Sequence, residues 1–383
     1  MPDRLFSPRF FLMCGFSFTV FLSAFQLLPT APYRILELGG TAAAAGLFLG
    51  FLTYSSALTA PLTGSLVDRV GPRRVLITSS LAITVFSLTY AVLPRYGLML
   101  ALVVLHGAFW SGLLSASGTY VTSIVPAIRR AEGMGYWGLS TVLATTVAPT
   151  LGLWVYGHGG WTAMCLESAG LNLVMATIAW LLPRDQPMRL HTKVTFEWRV
   201  LVLSGTLFLY AFGYGGITSF VALYSDRNHV TPRALYFTLF CLTIVLTRPF
   251  VGRFADRVGY RRIFVPCVLL VATGYAVLAV GGTRMHLVIS ALIFGMGFGS
   301  AYPVFLAHLL RHVSDRRRGA MFGSIIGAFD TGIGSGSIAM GWIIQRFGFQ
   351  PAWATAAALA ACAVPFFLIA EPRLLPRELE VAA

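Results

Sequence analysis

Charge is the scarcest property of this chain: 11% of its 383 residues are Asp, Glu, Lys or Arg, and the only lysine is Lys193. A soluble domain carries roughly 25% charged residues. With 57% of the sequence hydrophobic, too few polar side chains remain to clothe a water-exposed surface. Cysteine usage excludes a second class. Cys14, Cys165, Cys241, Cys267 and Cys362 all sit inside apolar stretches and form no C-x-x-C pair, so a disulfide framework is not indicated and packing is their role. No H-E-x-x-H occurs, and the few acids and histidines are dispersed. A membrane enzyme would need a metal or nucleophile constellation that is missing here. The chain is therefore expected to be no enzyme and to hold no cofactor or metal.

The net charge is +14, yet the arginines stand in short runs between apolar segments, as loop anchors do. Nucleic-acid binding needs the charge gathered on one folded face, so no nucleic-acid partner is expected.

Long hydrophobic runs are what the chain does have. Segments at 9–30, 41–66, 73–93, 97–125, 131–157, 161–182, 199–223, 232–255, 261–281, 285–311, 319–346 and 351–370 are each near the ~20 apolar residues that span a bilayer. The first has no small-residue cleavage site after its apolar run and is read as a retained helix. Twelve spans consume nearly the whole chain. The lipid bilayer is its solvent, and the chain is read as a monomer.

Cationic residues orient the spans, because cytoplasmic loops collect them. With both termini inside, 21 of the 28 Lys and Arg fall on the cytoplasmic side, six fall outside, and Arg248 lies within a helix. The reverse orientation destroys this asymmetry. A multi-pass protein of the plasma (inner) membrane is expected.

The sequence also repeats itself. Residues 58–76, LTAPLTGSLVDRVGPRRVL, align without gaps on 246–264, LTRPFVGRFADRVGYRRIF, with 10 of 19 positions identical at an offset of 188. The same offset superposes Arg129-Arg130 on Arg317-Arg318 and Gly135 on Gly323. A polar loop repeated at half the chain length indicates a duplicated unit. The expected architecture is an all-α polytopic membrane protein of 12 transmembrane helices in two pseudo-symmetric six-helix bundles. Their expected limits are 1–182, a cytoplasmic linker at 183–198, and 199–383. In such transporters the substrate site lies near the midplane between the repeats.

The loop motif G-x-x-x-D-R-x-G-x-R-R, running from Gly64 to Arg74 and again from Gly252 to Arg262, resembles the signature loop of the major facilitator superfamily. The stretches RRAEGMGYWGLSTVLATTVAPTLGLWVYGHGGW at 129–161 and GAFDTGIGSGSIAMGW at 327–342 are similar to its bacterial drug-efflux and arabinose-efflux-permease-like branch. The resemblance implies a secondary transporter working by alternating access. It also implies that Asp68 and Asp256 pair across the two halves with a helix start, holding the cytoplasmic side shut. An anion at a helix N-terminus gains roughly 0.3–1 kcal/mol. Gly64, Arg69, Gly71, Arg73, Arg74, Gly252, Arg257, Gly259, Arg261 and Arg262 complete the two loops, and the alternative is an anchoring motif without a gating role. Arg248, whose first-half counterpart is Ala60, either joins this gate or snorkels to the headgroups.

Gly135, Gly138, Ala148, Pro149 and Gly152 give the fifth span a small-residue face broken by a proline. Such a face lets helices approach closely in lipid. The resemblance associates it with proton-exchanging exporters, which usually carry Gly where this chain has Ala148. Ordinary tight packing is the alternative.

Asp330 is the sharpest single residue. It lies about eleven residues into its span, roughly 16 Å deep at 1.5 Å per residue. A charge there costs about 2.5–3.5 kcal/mol, so Asp330 is a proton site, a substrate ligand or a hydrogen-bonded structural acid. Glu167, about six residues into the sixth span, is a proton carrier or ligand, or else it pairs with Arg34 or reaches the outer interface. Glu37 is expected in an exposed loop. His106 stands where related exporters carry an intramembrane Arg, and either titrates or packs through a hydrogen bond. Gln26, Tyr54 and Tyr214 are expected to line the cavity. Taken with these residues, the resemblance implies proton-coupled efflux of a small organic compound, a drug or metabolite, with the proton as coupling ion. A proton symporter or uniporter importing a nutrient, and a lipid flippase, share the fold and stay open.

Overall fold

The computed structural model describes residues 5–126, 129–183, 198–310, 312 and 318–375. Within them the chain is helical, in the order α1 (Pro8–Glu37), α2 (Ala42–Val70), α3 (Pro72–Val92), α4 (Tyr96–Ile124), α5 (Arg130–Leu181), α6 (Trp198–Leu203), α7 (Gly205–Arg227), α8 (Leu235–Val258), α9 (Tyr260–Val280), α10 (Arg284–Leu310), α11 (Arg318–Phe347) and α12 (Phe349–Leu374). Helix is the form a single segment must take in lipid, since it satisfies its own backbone groups. Among the described residues nine helices are long and apolar enough to cross a membrane. Exposed apolar side chains such as Leu58, Val92 and Val280, each more than three-quarters accessible, stand on their outer faces. In water such a surface would drive association; in hydrocarbon it is the ordinary state.

The twelve elements do not map one to one onto the twelve expected spans. The fifth and sixth spans form one hydrogen-bonded run, α5, broken by Gly160 at φ 71° and ψ −173°. The seventh is divided at Ser204 into the short α6 and α7. α1 runs seven residues past its expected end at 30, because Pro29 and Pro32 are absorbed into the helix. A proline inside a membrane helix is tolerated where neighbours cover the freed carbonyls.

The helix starts follow local rules. Ser7 caps α1, its Oγ accepting from the Phe10 N–H at 3.2 Å, with Pro8 at the first helical position. The turns after α2 and α8 are made by Gly71 at φ 87° and Gly259 at φ 101°, backbone that L side chains rarely adopt.

The chain divides into two compact units, one of residues up to Gly40 with Phe51–Thr192, the other of Thr41–Gly50 with the chain from Lys193 onward. In the first, α1, α3 and α4 pack with both halves of α5 around Phe16, Leu76, Ile83, Leu113, Tyr120 and Met175. In the second, α7, α9, α10, α11 and α12 enclose Phe264, Phe305, Trp353 and Phe367. The opening turns of α2 belong to this second unit by their own bonds: Ser337 Oγ donates to the Gly46 carbonyl at 2.9 Å, and the Ala43 N–H donates to Gln345 Oε1 at 3.2 Å.

Candidate functional site

A polar layer crosses the interior of the first unit. Gln26, fully buried on α1, donates its amide to Glu167 Oε1 at 3.2 Å on the far half of α5. Gly152 permits the approach, for a Cβ there would sit 2.8 Å from both Cα and Cβ of Gln26. One turn along α1, Ser23 and Ser168 share a 2.8 Å hydrogen bond. Asn172 donates to Ser87 Oγ at 3.0 Å, Trp161 donates its indole N–H to the Tyr90 carbonyl at 2.8 Å, and Tyr90 Oη stands 3.5 Å from His106 Nδ1. Ser23, His106, Ser168 and Asn172 line a small cavity between these helices. Among the described residues, Gln26 Oε1 and Glu167 Oε2 are enclosed with no hydrogen-bond partner. Buried acceptors of this kind are uncommon in folded proteins and call for a donor.

The second unit holds its acid in different surroundings. Asp330 is the thirteenth residue of α11, partly exposed, and takes part in none of the ion pairs among the described residues. An aromatic cluster joins α7, α10 and α11 nearby: Phe329, adjacent in sequence, meets Tyr302 at 5.2 Å and Phe298 at 6.1 Å between centroids, and Phe298 stacks on Tyr214 at 4.3 Å. Tyr302 lies within electrostatic range of Asp330. Gly332 and Gly336 face the opposite way, against the backbones of Phe208 and Phe212 in α7. Two and six residues on from Asp330, they sit roughly 200° and 240° around the helix. The close α7–α11 contact thus turns Asp330 outward from that seam.

The two Asp-Arg loops do matching work inside their own units. Arg73 donates to the Trp180 carbonyl near the end of α5, and Arg261 Nη1 lies 3.2 Å from Glu371 Oε2 near the end of α12. Arg69, Arg74, Arg257 and Arg262 are exposed and Asp68 is partly buried. The side chains at Arg248, Gly252 and Asp256 lie outside those described, as does most of the expected linker 183–198. Arg34 is engaged by Glu37 at 3.2 Å rather than by Glu167. Glu37 is the last residue of α1, not a loop residue, and it also accepts from Tyr156 Oη. Tyr54 is half-buried on α2. Ala148 is buried beside Leu22, Pro149 lies inside α5, and a Cβ at Gly135 or Gly138 would meet nothing within 4 Å.

The family model described as Major Facilitator Superfamily matches residues 11–236 and 203–382. This chain belongs to that superfamily. An uncharacterised MFS-type transporter of Salmonella typhimurium, STM4428, is 24% identical over 329 residues, covering 82% of this chain and 84% of the relative. The multi-drug resistance efflux pump PmrA of Streptococcus pneumoniae serotype 4 is 24% identical over 275 residues, 68% of this chain and 69% of its own. Among solved structures, the nucleoside transporter NupG superposes with a TM-score of 0.76 at 14% identity, covering 95% of this chain and 99% of that one. At such identity the likeness is one of fold. The protein is a multi-pass secondary transporter of the major facilitator superfamily.

One cluster in this major facilitator chain escapes a reading of the sequence alone. His308 Nε2 lies 3.2 Å from Glu371 Oε1, His312 stacks edge-on against His308 at 4.7 Å, and Arg261 closes the group from α9. Glu371 lies 63 residues from His308, in the last turn of α12.

Proposed function

We propose that this transporter exports a small organic compound in exchange for protons, cycling by alternating access in the plasma (inner) membrane with both termini in the cytoplasm. Two carboxylates placed within spanning helices, Glu167 and Asp330, carry this reading. Among the described residues neither forms an ion pair that would make it merely structural, and the neighbour bonded to Glu167 there is the neutral Gln26. Carboxylates inside membrane helices are expensive and mark ion or substrate pathways. The relative named as a multi-drug resistance efflux pump supports export. Energetically a single proton suffices: about 2.3 kcal/mol per 100 mV supports roughly a fifty-fold substrate gradient at 1.36 kcal/mol per decade. The Asp-Arg loops serve as the gate in this reading, with Asp68 and Asp256 engaged when the cytoplasmic side is shut.

Inside-out vesicles with an imposed pH gradient, screened with fluorescent dyes and small metabolites, test it. Substrate is expected to accumulate in wild-type vesicles whose lumen is acid. Asp330→Asn and Glu167→Gln should each abolish that accumulation while the purified proteins stay monodisperse. Movement of substrate together with the proton, or undiminished exchange in both variants, would reject the proposal.

A further inference from the structure

Gln26 and Glu167 are joined by one hydrogen bond and share one deficit. The Gln26 amide donates to Glu167 Oε1 at 3.2 Å, while the second oxygen of the pair on each side, Gln26 Oε1 and Glu167 Oε2, is enclosed and has no donor among the described residues. A side-chain amide and a carboxyl group are planar forks of the same shape. Joined through one prong of each, they bring their free prongs side by side. Here both free prongs are oxygens. With Glu167 ionised, both are acceptors only, and neither satisfies the other.

Water does not make up the deficit, because neither oxygen borders space that a water molecule could occupy. The small polar cavity of this unit is lined by Ser23, His106, Ser168 and Asn172 and not by this pair. A cation does not make it up either. Arg34, further along α1, is engaged by Glu37 at 3.2 Å, and Glu167 forms no ion pair among the described residues. On α4, His106 stands beside Tyr90 Oη, and the α3 side chain that meets this layer, Ser87, is neutral and bonds Asn172. A single hydrogen removes the deficit. A protonated carboxyl group is a donor, so one proton on Glu167 closes a ring of two hydrogen bonds in which each group donates once and accepts once. The amide is well anchored for this. Gln26 is fully buried, its own carbonyl accepts from Thr30 Oγ1 at 2.8 Å, and Gly152 brings the near half of α5 against its Cα.

We propose that in this conformation Glu167 holds its proton on Oε2 and donates it to Gln26 Oε1, making Gln26 the positioning residue for the proton carried by the first unit. The carboxylic acid–amide pair ties α1 to the far half of α5 by two reciprocal bonds. When the proton leaves for water, the bond from the amide N–H remains and two enclosed acceptors are left facing each other. An unmade bond of this kind is unfavourable, so loss of the proton loosens α1 from α5. The inference deepens the export reading, on which the role of that proton rests.

Infrared difference spectroscopy of the full-length protein in lipid nanodiscs at neutral pH tests it. Wild type minus Glu167→Gln should show the carbonyl stretch of a carboxylic acid, identified by its shift in heavy water. Gln26→Leu should move that band to higher frequency, as for an acid that has lost its hydrogen-bonded partner. Exchanging the two side chains, Gln26→Glu together with Glu167→Gln, rebuilds the pair with its ends reversed. That double variant should return the band close to its wild-type position, which a merely space-filling role for Gln26 would not do. Thermal unfolding of each variant confirms that a lost band is not a lost fold, and the comparison of wild type with Glu167→Gln stands without any change at Gln26. A carboxylate stretch in place of the acid band, or an acid band that Gln26→Leu leaves unmoved, would overturn the assignment. If proton-driven transport persists while Glu167 shows only the carboxylate stretch, this inference fails and the export reading survives. If the band behaves as expected and no proton-driven transport is found, the acid–amide pair stands and the export reading fails.

Discussion

Arg261 reaches Glu371 at 3.2 Å, so the loop that opens α9 is tied to the end of α12. Its counterpart 188 residues earlier, Arg73, reaches the Trp180 carbonyl and ties the start of α3 to the end of α5. In each unit the first arginine of the duplicated Arg-Arg pair acts within its own bundle, whatever the loop does in the transport cycle. A guanidinium at the C-terminal end of a helix is favoured by the partial negative charge there.

Arg73→Ala and Arg261→Ala should therefore lower thermal stability in detergent, each by roughly 1 kcal/mol once the exposure of the arginines is allowed for. The neighbouring Arg74→Ala and Arg262→Ala, on exposed side chains, should stay within about 0.5 kcal/mol of wild type. Equal shifts for both members of a pair would show that the contacts are incidental.

Gly152 and its fellow small residues should part company on substitution. A Cβ at Gly152 meets the Gln26 backbone at 2.8 Å, whereas one at Gly135 or Gly138 finds open space. Gly152→Ala should cost about 1–3 kcal/mol through overpacking. Gly135→Ala and Gly138→Ala should be neutral or stabilising for the fold, since Ala favours helix by roughly 1 kcal/mol. A melting-temperature series in one detergent decides the ranking.

The turn glycines carry a separate expectation. Gly71 has φ 87° with ψ 145°, and Gly259 has φ 101° with ψ 137°. This region belongs almost entirely to glycine, and a side chain there costs about 1–3 kcal/mol. Gly71→Ala and Gly259→Ala should each lower the yield of folded protein and its melting temperature. Gly64→Ala, with nothing within 4 Å, should not; a comparable loss there would point to a role outside backbone geometry.

Gln26 should tune Glu167. Intramembrane hydrogen bonds are worth about 0.6 kcal/mol on average and about 1.7 at most. Gln26→Leu should accordingly slow proton-driven transport roughly three- to eighteen-fold, taking 1.36 kcal/mol per decade, while the protein remains folded. An unchanged rate in proteoliposomes would remove the pair from the cycle.

Much of the fold was legible because lipid as solvent leaves little choice. A run of about 20 apolar residues must be a helix, and a duplicated polar loop betrays two related halves. Legibility failed at the end of the first span, expected at 30, because Pro29 and Pro32 are interior to α1, which runs to Glu37. It also failed for pairing. Arg34 was a reasonable partner for Glu167, but Glu37 stands three residues away on the same helix face and takes it. The partner of Glu167 is instead Gln26, 141 residues distant and neutral.

Hydropathy and the repeated loop motif, properties of the chain read in one dimension, point to the membrane, the helical class and the superfamily. Which carboxylate meets an amide and which stands clear of the helix seam was decided only when helices far apart in sequence packed together. Gly152 admits α5 to Gln26, and Gly332 with Gly336 seats α11 on α7 so that Asp330 turns away from the seam. The physical reason is that apolar burial is non-directional and readable from composition, whereas a hydrogen bond or a stacked ring depends on ångström-scale placement.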